Sequence, residues 1–83
     1  MRLTLELYAS LMSYLPPRAD RHRVEVDVPD ETVPADLLAM FSVPPERAHL
    51  VLHNGVFVPP EERETLNLSP GDVIAVWPPV AGG

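Results

Sequence analysis

Two adjacent glycines, Gly82 and Gly83, stand at the last positions of this 83-residue sequence. Glycine has no Cβ and tolerates almost any backbone angle, so a carboxylate that it carries can enter a slot too narrow for any other residue. The glycines follow a short proline-containing segment, Pro-Pro-Val-Ala at 78–81, and before it a run of apolar residues at 73–77. We therefore interpret the α-carboxyl group of Gly83 as the reactive group of the chain.

Histidines and clustered carboxylates are the other residues with chemistry suited to a site. His49 and His53 lie four positions apart, which in a strand separates them by about 13 Å at ~3.3 Å per residue, too far to share one metal ion. The carboxylates of Glu61, Glu62 and Glu64 lie in a polar stretch, without the apolar pocket that raises a carboxyl pKa for acid–base catalysis. We predict surface or partly packed histidines, a solvated acidic segment and no metal site.

Two aromatic residues in apolar runs, Phe57 and Trp77, are candidates for contact with a partner protein. Aromatic side chains often dominate the binding energy of interfaces, but they equally fill hydrophobic cores. Both interpretations stand for Trp77, whereas a position in the core is favoured for Phe57.

The composition limits the classes of function. A chain of 83 residues has room for one modest core and seldom encloses a deep substrate pocket, so we expect a carrier, a subunit or a binding module. The net charge is −6 and all six basic residues are arginine, which argues against nucleic-acid binding. The absence of cysteine excludes disulfides, thiolate metal sites and a persulfide on the chain. No segment has the pattern of a signal peptide or a membrane span, so we expect a cytoplasmic protein without a membrane partner.

Hydrophobic periodicity predicts the elements that position these residues. Apolar and polar residues alternate at 3–7 and again at 24–28, as in half-buried strands. The apolar spacing between 33 and 41 is helical, and Pro34 suits the first turn of such a helix. Side chains within 29–32 are the expected N-caps of this helix.

A hairpin and a final strand complete the predicted order. Asn54 and Gly55 separate two short apolar runs, and this dipeptide favours the positive φ angles of a two-residue hairpin. The run at 73–77 is apolar throughout, which is typical of a strand covered on both faces at the centre of a sheet. Strands on both sides of one helix indicate an α+β fold, the β-grasp or ubiquitin-like roll, in which the first and last strands pair in parallel.

Short segments spread over nearly the whole chain carry a more specific signal. They are Leu-Thr-Leu-Glu-Leu-Tyr-Ala at 3–9, Thr-Val at 32–33, Asp-Leu-Leu at 36–38, His-Asn-Gly at 53–55, Pro-Gly-Asp-Val at 70–73 and Pro-Pro-Val-Ala-Gly-Gly at 78–83. In this order they resemble the ubiquitin-like sulfur carriers of the MoaD/ThiS type. This family includes the small subunit of molybdopterin synthase and the sulfur carrier of thiamine biosynthesis. The terminal hexapeptide is the most specific part of the resemblance.

The resemblance implies a β-grasp domain at 1–77, a flexible tail at 78–83 and a cycle of activation at Gly83. In this cycle a ubiquitin-activating-type adenylating enzyme uses ATP to adenylate the Gly83 carboxylate. A sulfur donor converts the acyl-adenylate to a thiocarboxylate, and a sulfur-accepting synthase then removes the sulfur. The chain itself binds no cofactor and serves as a co-substrate for its partner enzymes.

The resemblance also assigns roles within the tail. Gly82 and Ala81 are the narrow leader that enters the partner, and Val80, Pro79 and Pro78 are a stiff stem. An extended tail of this length spans about 20 Å at ~3.3 Å per residue, enough to reach an active site while the folded body stays outside. The tail and the two aromatic residues named above are the expected partner-binding residues.

Three functions are consistent with the sequence. The first is a sulfur carrier for cofactor biosynthesis, with the large subunit of molybdopterin synthase as the leading acceptor and thiamine, cysteine or another sulfur-containing metabolite as alternative pathways. The second is a ubiquitin-like modifier that joins Gly83 to lysines of target proteins. The third is a binding module whose tail has no role, and its function would survive removal of the final two glycines.

Overall fold

The computed structural model describes residues 1–80. In this part of the chain the strands are β1 (Arg2–Leu7), β2 (Arg23–Asp27), β3 (Leu50–His53), β4 (Val56–Phe57) and β5 (Val73–Trp77). The α-helix α1 spans Pro34–Met40, and three 3₁₀ helices span Ala9–Tyr14, Pro45–Arg47 and Pro60–Glu62. Strands and α-helix follow the order that the sequence predicts. None of the helices within 1–80 has the length and apolar character needed to cross a bilayer.

The five strands form one mixed sheet in the order β2-β1-β5-β3-β4. The last strand, β5, lies at the centre. It runs parallel to β1, with Leu5 opposite Ile74, and antiparallel to β3, with Val51 opposite Val76. The predicted β-grasp fold, with its parallel pairing of the first and last strands, is confirmed.

Alternation of side chains gives the sheet a core face and an outer face. Leu5, Ile74 and Val76 point to the core face, where they join Leu37 and Leu38 from α1 in one buried cluster. The helix is short, and two of its seven residues supply these large apolar side chains. The helix therefore covers the core face, and the outer face lies on the side away from it.

The start of α1 differs from the prediction in one detail. Pro34 occupies the first turn, as expected, but the N-cap residue is Val33, and within the described chain no side chain of 29–32 caps the helix. Instead, the Asp36 carboxylate accepts a hydrogen bond from the Val33 backbone N–H at 3.4 Å. An acidic residue three positions after the N-cap can reach back in this way, and its charge also suits the positive end of the helix dipole.

Positive φ angles shape the two turns that flank the central strands. Asn54 has a φ of 49° and Gly55 a φ of 86°, which confirms the predicted hairpin between β3 and β4. Gly71 has a φ of 87°, and the Asp72 N–H donates to the Ser69 carbonyl at 3.0 Å, so residues 69–72 form a turn before β5.

The Asp72 side chain fastens this turn to the hairpin. Its carboxylate accepts hydrogen bonds from the Ser69 backbone N–H at 2.8 Å and the Asn54 side-chain amide at 3.0 Å, and it lies 2.7 Å from His53 Nε2. The Asn54 side-chain oxygen in turn accepts from the Val73 N–H at 2.8 Å. Burial acts to raise the pKa of Asp72, but these hydrogen bonds outweigh it and hold the pKa below its ordinary value.

We expect Asp72→Asn to lower the free energy of unfolding near neutral pH by about 1–2 kcal/mol, because hydrogen bonds to a charged group are lost. The pKa of Asp72 is lower in the folded state than in the unfolded state. The stabilisation from ionised Asp72 is therefore present above the ordinary pKa of 3.8 and is lost as the pH falls through the lower, folded value.

Urea denaturation of both proteins at a series of pH values measures this effect. The difference in unfolding free energy between the wild type and Asp72→Asn should be constant near neutral pH and should shrink below about pH 4. Glu31→Gln changes an exposed carboxylate and is the matched control. A difference that does not change with pH would contradict the assignment to Asp72 ionisation.

Candidate functional site

The chain leaves the sheet at the end of β5, where two backbone hydrogen bonds hold the strand. The Val76 carbonyl accepts from the Tyr8 N–H at 3.0 Å, and the Trp77 carbonyl accepts from the His49 N–H at 3.0 Å. The first bond comes from the β1 side and the second from the β3 side. Pro78 follows and has no N–H to extend the ladder. We call Val76 and Trp77, with these two bonds, the tail root.

An aromatic stack lies beside the tail root. The Trp77 and Tyr8 rings are parallel, with an interplanar angle of 0° and centroids 4.2 Å apart, and the Tyr8 ring stacks on His22 at 4.7 Å. The Tyr8 hydroxyl donates a hydrogen bond to the Glu6 carboxylate at 2.8 Å. Burial and this hydrogen bond raise the pKa of Tyr8, so its hydroxyl stays protonated at neutral pH. The stacking contact with Tyr8 fixes the orientation of the Trp77 ring.

Apolar side chains cover part of the outer face of the sheet. The strand register places Leu52 beside Ala75 and Phe57 on this face, and Leu50 beside Trp77. Phe57 is 52% exposed, and Leu50, Leu52 and Trp77 are half-buried. We call these five residues the sheet patch. Towards β1 and β2 the same face becomes charged, so the patch lies on one half of the sheet and reaches the tail root.

The structure places the two predicted aromatic residues together on the sheet patch. The prediction that Phe57 lies in the core is wrong, because β4 is a two-residue strand at the sheet edge and the ring points to the outer face. Trp77 is half-buried, and its ring packs on Tyr8 instead of joining the core cluster.

Beyond β5 the structure describes three of the predicted tail residues. Pro78 is half-buried, Pro79 is exposed and Val80 is 77% exposed, and none of them is in a helix or strand. The remaining tail residues lie outside the described part of the chain, so their roles stay predictions, as does the division of the chain into a domain and a flexible tail. They are Ala81, Gly82 and Gly83.

Comparison with protein families gives a match over nearly the whole chain. The model described as the ThiS family matches residues 7–83. The chain belongs to the ThiS family. The predicted relationship to ubiquitin-like sulfur carriers of the MoaD/ThiS type is thereby confirmed.

Solved structures from Haloferax volcanii share the fold of this ThiS-family chain. The crystal structure of SAMP1 is 25% identical, with a TM-score of 0.68, and the match covers 100% of both chains. The solution structure of the HVO 2177 protein is 24% identical, with a TM-score of 0.76, and the match covers 100% of this chain and 87% of the other. No curated protein matches the sequence. The ThiS-family match and the similarity to SAMP1 together support a ubiquitin-like sulfur carrier or modifier.

The predicted histidines and glutamates have exposed side chains or structural partners. Within residues 1–80, no group of three His, Cys, Asp or Glu side chains is arranged to hold a metal ion. His53 contacts Asp72, and the side chain of His49 is exposed. The three glutamates of the acidic segment are exposed, which confirms that the segment is solvated.

Sequence reasoning did not find Tyr8 and His22, although both belong to the aromatic stack. Tyr8 continues the alternation of β1 by one residue, so its ring lies on the same face as Glu6, and this signal was available in the sequence. His22 lies in the loop before β2, next to the isolated bridge between Asp20 and Arg23. No periodic pattern marks a loop residue of this kind.

We expect Tyr8 and Trp77 to stabilise the fold through direct coupling of their rings. A double-mutant cycle of Tyr8→Ala, Trp77→Ala and the double variant should give a coupling free energy of about 0.5–1.5 kcal/mol. Urea unfolding followed by far-UV circular dichroism is the measurement, because Trp77 is the single tryptophan available for fluorescence. A parallel cycle of His22→Ala with Trp77→Ala should give a smaller coupling. Strictly additive losses for Tyr8 and Trp77 would contradict the proposed role of the stack.

Proposed function

We propose that this ThiS-family chain is a sulfur carrier whose Gly83 carboxylate is adenylated and converted to a thiocarboxylate that donates sulfur in cofactor biosynthesis. The observation that supports this most directly is the family match, which continues through residue 83. The central position of β5 adds support, because the strand that precedes the tail is anchored by neighbours on both sides. In this role the chain is a co-substrate in the cytoplasm, has no turnover alone and binds no cofactor, and the partner enzyme binds ATP.

The proposed chemistry consists of two displacements. A Gly83 carboxylate oxygen attacks the α-phosphorus of ATP, and pyrophosphate leaves. Hydrosulfide supplied by the donor then attacks the carbonyl carbon of the acyl-adenylate, and AMP leaves as a carbon–sulfur bond replaces the carbon–oxygen bond; loss of the hydrosulfide proton to water gives the thiocarboxylate. The chain has no cysteine, so this sulfur must come from a partner. A glycine at the reacting position leaves both faces of the carbonyl open to attack.

The sheet patch supports a docking role in the same cycle. It joins partly exposed aromatic and aliphatic side chains to the tail root, and aromatic anchors of this kind often dominate binding energy. The adenylating enzyme is its proposed partner. The net charge of −6 favours association with a basic groove, chiefly by increasing the rate of encounter. With the body docked through the patch, Pro78 and Pro79 restrict the directions in which the tail can leave, which lowers the entropy lost on insertion.

The leading acceptor of the sulfur is the large subunit of molybdopterin synthase, as the resemblance implies. A thiazole synthase of the thiamine pathway, a cysteine synthase or the enzyme of another sulfur-containing metabolite are the alternatives. Copurification of the chain with one of these synthases would distinguish the pathways, because each would hold the same tail in a different active site.

A ubiquitin-like protein modifier is the second candidate, and the similarity to SAMP1 along the full length of both chains supports it. In this function Gly83 forms an isopeptide bond with a lysine of a target protein. All six basic residues of this chain are arginine, so it offers no lysine side chain to a further copy and would act as a single tag.

Intact-mass spectrometry tests the sulfur-carrier function. The purified chain is incubated with the adenylating enzyme of the same organism, ATP and a sulfide source. We expect the mass to increase by the difference between one sulfur and one oxygen atom. A variant that lacks Gly83 should show no increase in mass. Gly82→Val should react at about one tenth of the wild-type rate or more slowly still, because the valine side chain obstructs the narrow entry to the partner's active site. Met40→Ala, an exposed change on α1, is the control for handling and folding.

Two outcomes of this experiment separate the candidates. A wild-type chain that shows no mass change in the presence of an active adenylating enzyme would contradict the sulfur-carrier function. Higher-mass conjugates with lysine-containing proteins, formed only when Gly83 is present, would support the modifier instead.

Substitutions in β4 test the docking role of the sheet patch. We expect Phe57→Arg to raise the KM of the adenylating enzyme for this chain by about tenfold or more, with a smaller effect on kcat, because an interface anchor is lost. Val56→Arg is a matched control, since Val56 is the neighbouring residue, is 68% exposed and points to the other face of the sheet. Equal effects of the two substitutions, or no effect of Phe57→Arg, would show that the patch is not the docking surface.

A further inference from the structure

A groove with a volume of about 400 Å³ lies on the helix side of the sheet, between α1, the loop that follows it and the third 3₁₀ helix. Most of its wall is apolar. The apolar lining consists of Ala35, Leu38, Ala39, Val43, Pro45, Ala48 and Pro60. We call this concave surface the helix groove. Ala35 and Ala39 are one helical turn apart, and their small side chains leave room that a larger residue would fill.

Arg63 holds the walls of the helix groove together. Its guanidinium donates hydrogen bonds to the carbonyls of Ala48 at 2.6 Å, His49 at 3.3 Å and Val58 at 3.4 Å. Its own carbonyl accepts from the Ala35 N–H at 2.9 Å, at the start of α1. These bonds tie the helix, the loop and the 3₁₀ segment to one residue. The groove is therefore pre-organised, and little ordering entropy is lost when a ligand enters it.

Unpaired carboxylates give the rim of the groove a negative charge. Glu46 and Glu64 line the groove and are exposed, and neither forms an ion pair among the described residues. Arg63 contributes a positive charge, but its hydrogen bonds are directed at backbone carbonyls. Arg47, the other nearby arginine, points to the first 3₁₀ helix, where it donates to the Ser10 hydroxyl at 2.6 Å. An apolar groove whose rim carries two carboxylates without an ion-pair partner in residues 1–80 complements an apolar group flanked by positive charge.

We propose that the helix groove is a second docking site, which binds a segment of a partner protein that presents an aliphatic side chain beside a lysine or arginine. The aliphatic side chain occupies the space next to Ala35 and Ala39, and the basic side chains pair with Glu46 and Glu64. The groove also contains His49, whose backbone N–H donates to the Trp77 carbonyl at the tail root. A partner in this groove therefore lies close to the start of the tail while the sheet patch on the outer face remains accessible.

A peptide titration followed by ¹⁵N–¹H NMR of the full chain tests this proposal. The probe is the peptide acetyl-Lys-Leu-Leu-Arg-amide, and acetyl-Glu-Leu-Leu-Glu-amide is the control of opposite charge. We expect saturable shifts of the backbone amides at Ala35, Ala39, Arg47 and Glu64 with the basic peptide, and binding about tenfold weaker with the acidic one.

Two pairs of variants make the test specific. Ala39→Arg places a long side chain in the groove and should abolish the shifts, whereas Met40→Arg, on the same helix but outside the groove lining, should preserve them. The double variant Glu46→Arg/Glu64→Arg should prefer the acidic peptide. Glu25→Arg/Glu31→Arg has the same change in net charge at exposed positions away from the groove and should keep the original preference. Circular dichroism of each variant verifies that the fold is retained.

Each outcome of the titration either supports or overturns the proposal. Shifts confined to the groove, with the predicted charge preference and its reversal, would support the proposal. Shifts centred on the sheet patch, equal binding of both peptides, no saturable shifts, or an unchanged preference in Glu46→Arg/Glu64→Arg would overturn it. Because the titration requires neither ATP nor the adenylating enzyme, its result is independent of sulfur loading at Gly83.

Discussion

The parallel pairing of β1 with β5 is the constraint on which the rest of the structure depends. It joins the first strand of the chain to the last one, with Leu5 beside Ile74 and Leu7 beside Val76, all of them completely buried. Two strands that run in the same direction cannot be joined by a tight turn, so the chain between them must cross over the sheet. The crossover carries α1, which closes the core. Because contacts between distant parts of the sequence form the centre of the sheet, we expect folding to be slower than in a helical domain of this size.

The central position of β5 also determines where the two candidate surfaces lie. On the outer face, the strand contributes Ala75 and Trp77 to the sheet patch. On the core face, its buried residues pack below α1, and the helix groove lies between the helix, the loop that follows it and the third 3₁₀ helix. The tail root is close to both, through Trp77 itself and through the backbone of His49. A small domain can in this way present two separate candidate docking faces with the tail root between them.

The sequence predicts most of the fold, because the decisive signals are local. Asn54 and Gly55 specify the hairpin through their φ angles, and the apolar run of β5 reflects burial at the sheet centre. The errors occur at positions whose burial or contacts depend on tertiary structure. Phe57 is an aromatic residue in a predicted strand, yet an edge position leaves its ring exposed. The position of Arg63 against three carbonyls depends on how two loops meet, and its sequence neighbours indicate only a charged segment.

The function, like the fold, could be predicted from the sequence only in part. A reactive terminus could be proposed from the sequence, because glycines at 82 and 83 place no side chain beside the carboxylate that they precede. The proposed docking surfaces are not visible in the sequence, since they combine residues that are distant along the chain. The sheet patch brings Leu52, Phe57 and Ala75 together only through strand pairing, and no linear spacing would have grouped them.

The hydrogen bonds on both sides of β5 have a mechanical consequence. An enzyme that pulls on the tail along the strand direction loads the bonds to β1 and β3 in shear, because these bonds run across the strands. Bonds loaded in shear share the force and rupture together, whereas bonds loaded from one end open one at a time. A partner can therefore pull on the tail, and the hydrogen bonds to β1 and β3 keep β5 in the sheet.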